Sequence, residues 1–185
     1  MSELGPLTGE PLALDLVNTR TAGGDLLTTP AELRAWLRLQ ADRLPLPEVL
    51  TEADVVAVRR VREHLARALD RARRGDEPLA ADLGALNRAQ RAAPAVTELS
   101  WNGQAVTAAR RRVAGSAGER LAAWLAEAAA ELLADPAVTR VRECEADDCV
   151  MVFLPAHPRR RWCSAARCGN RVRVARHYQR HKPPA

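Results

Sequence analysis

The chain has 185 residues, 47% of them hydrophobic and 28% charged, with a formal net charge of +5; that is ample for a packed core and excludes global disorder. No stretch reaches the roughly 18 uninterrupted apolar residues of a membrane helix, and residues 1–9 lack the basic start and apolar run of a secretory leader. A cytoplasmic location is expected, where thiols stay reduced and clustered cysteines read as metal ligands before disulfides.

Aromatic residues make up only 3% of the chain, so the core must be built from Leu, Val and Ala, a composition that favours helix. The charge is unevenly spread. Residues 140–185 hold eleven Lys and Arg against four Asp and Glu, a balance of +7, whereas the rest of the chain balances at −2. Beyond Pro155 there are nine basic residues and no acidic one. A segment so charged suits an anionic partner, and nucleic acid is the commonest large one.

In chain order, residues 11–20 fit either a short helix, which groups Asp15, Asn18 and Thr19, or a strand, which aligns Leu12, Leu14 and Leu16; the helix is preferred. Gly23 and Gly24 then break the chain. Thr29-Pro30-Ala31-Glu32 is a capping box with proline at the first helical position, opening a helix to about residue 40. Thr51 caps a longer helix to about residue 74, with Val55, Val58, Val61, Leu65, Leu69 and Ala72 as its buried stripe. Its Arg59, Arg60, Arg62, Glu63 and Arg67 read as a solvated face, and His64 as a boundary residue. A further helix covers about 79–92. Strands at 96–101 and 104–110 flank Asn102-Gly103, a strong hairpin signal. The next helix spans about 119–134 and stops at Asp135-Pro136, a natural linker. The expected architecture is therefore mainly α with one small β-hairpin over residues 1–136, followed by a compact module over 137–185.

That module contains all four cysteines: Cys144 and Cys149, then Cys163 and Cys168, each pair separated by four residues. Two such pairs can place four sulfurs tetrahedrally about one zinc ion and leave no open coordination position, so the expected site is structural. Two disulfides or an iron–sulfur cluster are the alternatives. Short strands at 138–142 and 150–154 frame the first pair. Gly169 suits a turn with positive φ, and Asn170 is placed to cap a helix over about 171–181. Hairpin, knuckle and helix follow one another as in a treble-clef-like zinc module.

At about 100° per residue, that last helix puts Arg173, Arg176, His177 and Arg180 on one face and Val172, Val174, Ala175 and Tyr178 on the other. Arg159, Arg160 and Arg161 in the preceding loop, with Arg167, extend the candidate nucleic-acid surface. A merely solvated basic surface is the alternative. Arg171 lies on the apolar side and is expected to point inward, toward carbonyl groups or toward Asp147 or Asp148.

The run Arg161-Trp162-Cys163 followed by Cys168-Gly169-Asn170-Arg171 resembles the CGNR zinc finger, over Val141 to about Lys182. The stretch Leu12-Ala13-Leu14-Asp15-Leu16-Val17-Asn18-Thr19 is similar to the ABATE domain that usually precedes this finger. The resemblance implies a bacterial, stress-responsive transcriptional regulator with one zinc ion and a DNA-binding C-terminal module. One local departure is the proline-rich Pro155-Ala156-His157-Pro158, which stiffens the loop.

The N-terminal part is expected to act as a sensing domain for a small-molecule effector. Asp15, Asn18 and Thr19 are either a polar corner of a ligand pocket or structural groups that satisfy the backbone. No phosphate-binding glycine loop, nucleophile elbow or open histidine-rich metal site occurs, so no enzymatic role is expected. A single finger is a small DNA contact, which favours a homodimer presenting two.

Overall fold

The computed structural model describes residues 6–181, with side chains throughout except at 175–180. Expectations for Arg176, His177 and Arg180 as side chains therefore lie outside the described residues. The elements are α1 (Leu12–Val17), β1 (Arg20–Thr21), β2 (Gly24–Asp25), α2 (Pro30–Leu39), α3 (Glu52–Ala72), α4 (Ala80–Ala92), β3 (Val96–Trp101), β4 (Val106–Arg111), α5 (Ala117–Ala134), β5 (Arg142–Glu143), β6 (Val152–Phe153) and α6 (Asn170–His181). The strands form three separate antiparallel pairs, β1–β2, β3–β4 and β5–β6.

The helix starts follow their capping chemistry. Glu32 N–H donates to Thr29 Oγ1 while Thr29 N–H donates to Glu32 Oε2, with Pro30 at the first position. Ser116 and Glu119 repeat the exchange at α5, and Thr51 N–H donates to Asp54 Oδ2 at α3. A cap of this kind contributes about 1 kcal/mol.

Helices α3 and α5 form the centre, packed on each other and both on α4, with α1 laid across them. Val55, Val58, Val61, Leu65 and Leu69 are buried as their spacing requires. The facing side of α5 alternates Leu121, Leu125 and Leu132 with Ala122, Ala126 and Ala129, and these small residues let the helices approach closely. At Gly118 the approach is tightest: a Cβ there would stand 2.7 Å from Asp54 Cα.

The face of α3 departs from expectation at Arg62, which is 2% exposed. Its guanidinium forks onto Asp25, with Nη1 to Oδ1 and Nη2 to Oδ2 both 2.6 Å, and Nη1 also donates to Thr19 Oγ1 at 2.9 Å. Burial opposes ionisation of Asp25, but Arg62, the Leu27 N–H and Arg59 outweigh it and hold the carboxyl below its ordinary range. The partner explains the placement: β1 and β2, a two-by-two pairing hidden in the glycine-containing break, carry Asp25 over the helix. Arg67 and His64 likewise turn onto the buried Asp82 from α4. Arg60 remains exposed on that face, and Glu63 is half-buried.

The hairpin β3–β4 pairs Val96 with Arg111 through Trp101 with Val106. Its loop has four residues rather than two, because Asn102 Oδ1 accepts from both Gln104 N and Ala105 N while Gly103 takes φ +97°. Every residue of both strands is exposed.

The junction after α5 is no loose linker. Residues Pro136–Arg140 form a 3-10 helix, where a strand beginning at 138 was expected, and strand structure there is confined to β5 and β6. Val138, Val141 and Val152 join the main hydrophobic core, so the C-terminal module is packed onto the helices. Among the described residues no helix is long and apolar enough to cross a membrane.

Candidate metal centre

The pairing of Arg142 with Phe153 and Glu143 with Val152 brings both ends of the short hairpin to one point. There Cys144 N–H donates to Met151 O, and Cys149 N–H closes a turn onto Ala146 O, each at 2.9 Å. The second pair approaches from the other side: Cys163 N–H donates to Cys144 Sγ at 3.3 Å. Ser164 then caps a π-helical turn, Ala165–Gly169, that carries Cys168 and runs directly into α6.

All four sulfurs lie within 4.8 Å of one another. Cys149 to Cys163 is 3.8 Å and Cys163 to Cys168 is 3.6 Å. Four sulfurs about 2.3 Å from a zinc ion stand about 3.8 Å apart, so the cluster fits the metal. A disulfide would need about 2.05 Å, and all four thiols are free. Leu7, Ala146, Met151 and Phe153 pack around the cluster. Burial, reinforced by the neighbouring sulfurs, pushes the Cys149 thiol up to about 11, and burial raises Cys163 as well. Burial acts the same way on Cys144, yet the N–H groups of Cys163 and Ala146 outweigh it and lower that thiol. Such crowded thiols resist ionising together unless a dication neutralises them. With four protein ligands the shell is closed, and the centre is one structural zinc.

The Gly-Asn-Arg positions after Cys168 behave in ways of their own. Gly169 is buried in the π turn and has no positive φ; its nearest neighbours are Ser164 O and Trp162 Cε3, both 3.6 Å from where a Cβ would stand. Asn170 is itself helical, with φ −67° and ψ −43°, so the cap lies upstream at Ser164, whose side chain accepts from Arg167 N–H. The π turn merges with α6 and moves the helix start back by several residues. Asn170 Oδ1 accepts instead from Arg173. Arg171 meets Asp148 at 2.7 Å and donates to Cys168 Sγ at 3.4 Å, while its side chain stays 40% exposed.

The basic candidates divide. Arg160 is withdrawn from the outer surface: it pairs with the buried Glu10 at 2.6 Å, donates to Trp162 O and Cys163 O, and lies 4.3 Å over the Phe153 ring. Arg167 donates to Pro6 O, and Arg161 pairs with Glu145 beside Trp162. Arg159 and Arg173 are exposed and meet no carboxylate among the described residues.

Asp15, Asn18 and Thr19 are all buried, and none lines the cavity beside Arg112 and Trp124 or the one between α3 and α4. Asp15 accepts from Gly9 N, Glu10 N, Gln40 and Arg43. Thr19 Oγ1 donates to Leu16 O and accepts from Arg62. Asn18 reaches the zinc module: Val152 N–H donates to its Oδ1 and its Nδ2 donates to Val152 O, both at 2.8 Å. The Asn18 amide thus pairs with β6 as a neighbouring strand would. Asn18→Ala should leave both buried Val152 groups unpaired and lower unfolding stability by about 2–4 kcal/mol, read by denaturant titration of the zinc-loaded protein.

Sequence reasoning missed Glu10, Gln40, Arg43 and Arg62. Glu10 has the most reach, since its Oε2 also accepts from Leu154 N–H at 3.0 Å. A lone charge next to an apolar run was the available signal, and it does not say which partners it meets.

Residues 10–136 match the ABATE family model, described as a putative stress-induced transcription regulator. Residues 140–181 match the CGNR zinc finger model. No curated protein matches the chain.

Proposed function

We propose, on the footing that this chain belongs to the ABATE family and carries a CGNR zinc finger, that it regulates transcription by binding duplex DNA through the finger. The observation that carries this reading is the sorting of charge within the module. Of the module's four acidic residues, three are taken up by arginines at its surface, Glu143 by Arg73, Glu145 by Arg161 and Asp148 by Arg171, while the buried Glu10 of the N-terminal domain takes up Arg160. Among the described residues that leaves Arg159 in the loop and Arg173 on α6 exposed and without a carboxylate partner, and no acidic residue follows them in sequence. Exposed arginines on a helix and its flanking loop suit phosphate contact and positioning in a groove.

The zinc supports this role by fixing where α6 begins. Its ligand Cys168 lies one turn before Arg171, and Arg171 clamps the helix start to the first knuckle through Asp148. The N-terminal domain holds the module through Asn18 on Val152 and Glu10 on Arg160, and is the part on which a small-molecule effector acts.

The test is duplex binding across a salt series by the zinc-loaded protein. Arg159→Glu with Arg173→Glu should weaken retention and lower the log–log salt slope by about 2, near 0.9 per lost phosphate contact, with zinc content unchanged. Binding equal to the parent's would refute this surface. An equal preference for single-stranded RNA would refute the duplex reading.

A further inference from the structure

A cavity of about 400 Å³ opens where α1, the base of the β3–β4 hairpin, the last turns of α5 and Leu154 of the zinc module meet. That size is in the range of small-molecule sites. Its walls are of two kinds. Leu12, Leu132, Leu154 and Trp124 give an apolar side, and the charged side holds Arg110 and Arg112 with Glu127, Glu131 and Asp135, of which Arg112 and Glu131 matter most below.

Both charges have unused bonding capacity. The Arg112 side chain is 2% exposed, lies 5.4 Å from the Trp124 ring, and spends its two Nη groups on Ala93 O and Glu127. Its Nε is buried without a hydrogen-bond partner. A buried donor left unpaired is costly, and an acceptor brought by a ligand would relieve it. The Glu131 side chain makes no hydrogen bond or ion pair among the described residues, whereas Glu127, one turn earlier, is occupied by Arg110 and Arg112. A buried guanidinium with one unpaired N–H and an exposed, unpaired carboxylate flank an apolar wall in one cavity.

We infer that this cavity is the effector site and takes a small zwitterion with an apolar body, of the free amino-acid class. Its carboxylate meets Arg112, its ammonium meets Glu131, and its side chain lies against Leu12, Leu132 and Leu154. The inference rests on the reading of the N-terminal domain as the sensing part. Because Leu12 belongs to α1 and Leu154 N–H is held by Glu10, occupancy bears on the same contacts that seat the zinc module.

The experiment is calorimetric titration of the full zinc-loaded chain with L-phenylalanine and L-leucine, alongside phenethylamine and 3-phenylpropionate, which each lack one charged group. At least one amino acid should bind, and loss of either charge should weaken binding about tenfold or more. Glu131→Gln should cost the amino acid a similar factor and leave 3-phenylpropionate unchanged. Ala128→Leu, which fills the cavity, should abolish binding with zinc content retained. Absence of binding by both amino acids overturns the inference, as does equal binding by Ala128→Leu or by Glu131→Gln. Duplex binding measured on the same samples separates the two readings: DNA retention without amino-acid binding sinks only the effector site, and the converse sinks only the regulator.

Discussion

Cys144→Ser will strip the zinc from the chain and unfold the C-terminal module, and of all single changes this one should have the largest effect. The module has little else to stand on. Its own core is Leu7, Ala146, Met151 and Phe153 around the four sulfurs, and its sheet is two residues by two. A hairpin that short is not stable in water by itself. Structural zinc, by contrast, contributes on the order of 10–16 kcal/mol in small finger peptides near neutral pH. Losing Cys144 also removes the sulfur that accepts from Cys163 N–H, so the two knuckles lose both the metal and the bond that joins them. The parent should carry one zinc per chain and the variant none, with the variant cut readily by protease between about 142 and 181. The damage should spread inward, because Val141 and Val152 belong to the main core and Asn18 loses its strand partner. Acidification should act in the same direction. Zinc needs thiolates, so protons compete with the metal for the four sulfurs more strongly as pH falls. A variant that keeps a full equivalent of zinc and the parent's protease resistance would contradict this account.

Local periodicity and capping explain why so much of this fold is legible from the residues in order. The capping box at Thr29, the cap at Thr51 and the stripe from Val55 to Leu69 act within a turn or two of chain, so neighbouring residues carry the whole signal. The cysteine spacing is equally self-contained, since the metal demands the geometry wherever the chain goes. The two misread arginines involve partners distant in sequence, and the misread cap a local turn of unusual pitch. Arg62 sits in a run of charges that looks solvated, and only the arrival of Asp25, 37 residues earlier, turns it inward. Arg160 looks like part of a basic loop, yet Glu10 lies 150 residues away and draws it under Phe153. Asn170 has the residue type of a cap, but the π turn at Cys168 lets Ser164 take that role. The cavity between α5 and Leu154 was illegible because its lining joins α5 to Leu12, Arg112 and Leu154, which lie far apart in sequence.

Asp15→Ala should be the most damaging change in the helical domain, with a loss of about 3–5 kcal/mol and a melting temperature lower by about 10 °C. The carboxylate is fully buried and serves four donors from two separate segments: the N–H groups of Gly9 and Glu10, and the Gln40 amide and Arg43 guanidinium of the turn after α2. Truncation leaves each donor short of a partner, and one of them is a charge that is only 29% exposed. A buried ion pair broken from one side costs more than the pair is worth when intact. The consequences reach past α1. The bonds from Gly9 and Glu10 fix the backbone from which the Glu10 side chain seats Arg160 and Leu154, so the zinc module should loosen on the helices without losing its metal. Asp15→Asn should fall between, since one acceptor oxygen survives while the new amide hydrogens face Arg43. Thermal melts with and without an amino-acid ligand distinguish this structural role from a ligand-binding one. A group that only contacted a ligand would leave the unliganded melting temperature near the parent's and remove the shift on ligand addition. The geometry requires the reverse: a large fall without ligand, and a residual shift from the cavity at Arg112 and Glu131, which Asp15 does not line. An Asp15→Ala protein that melts within about a degree of the parent would show that the four donors find other partners, and would return Asp15 to the ligand-binding candidates.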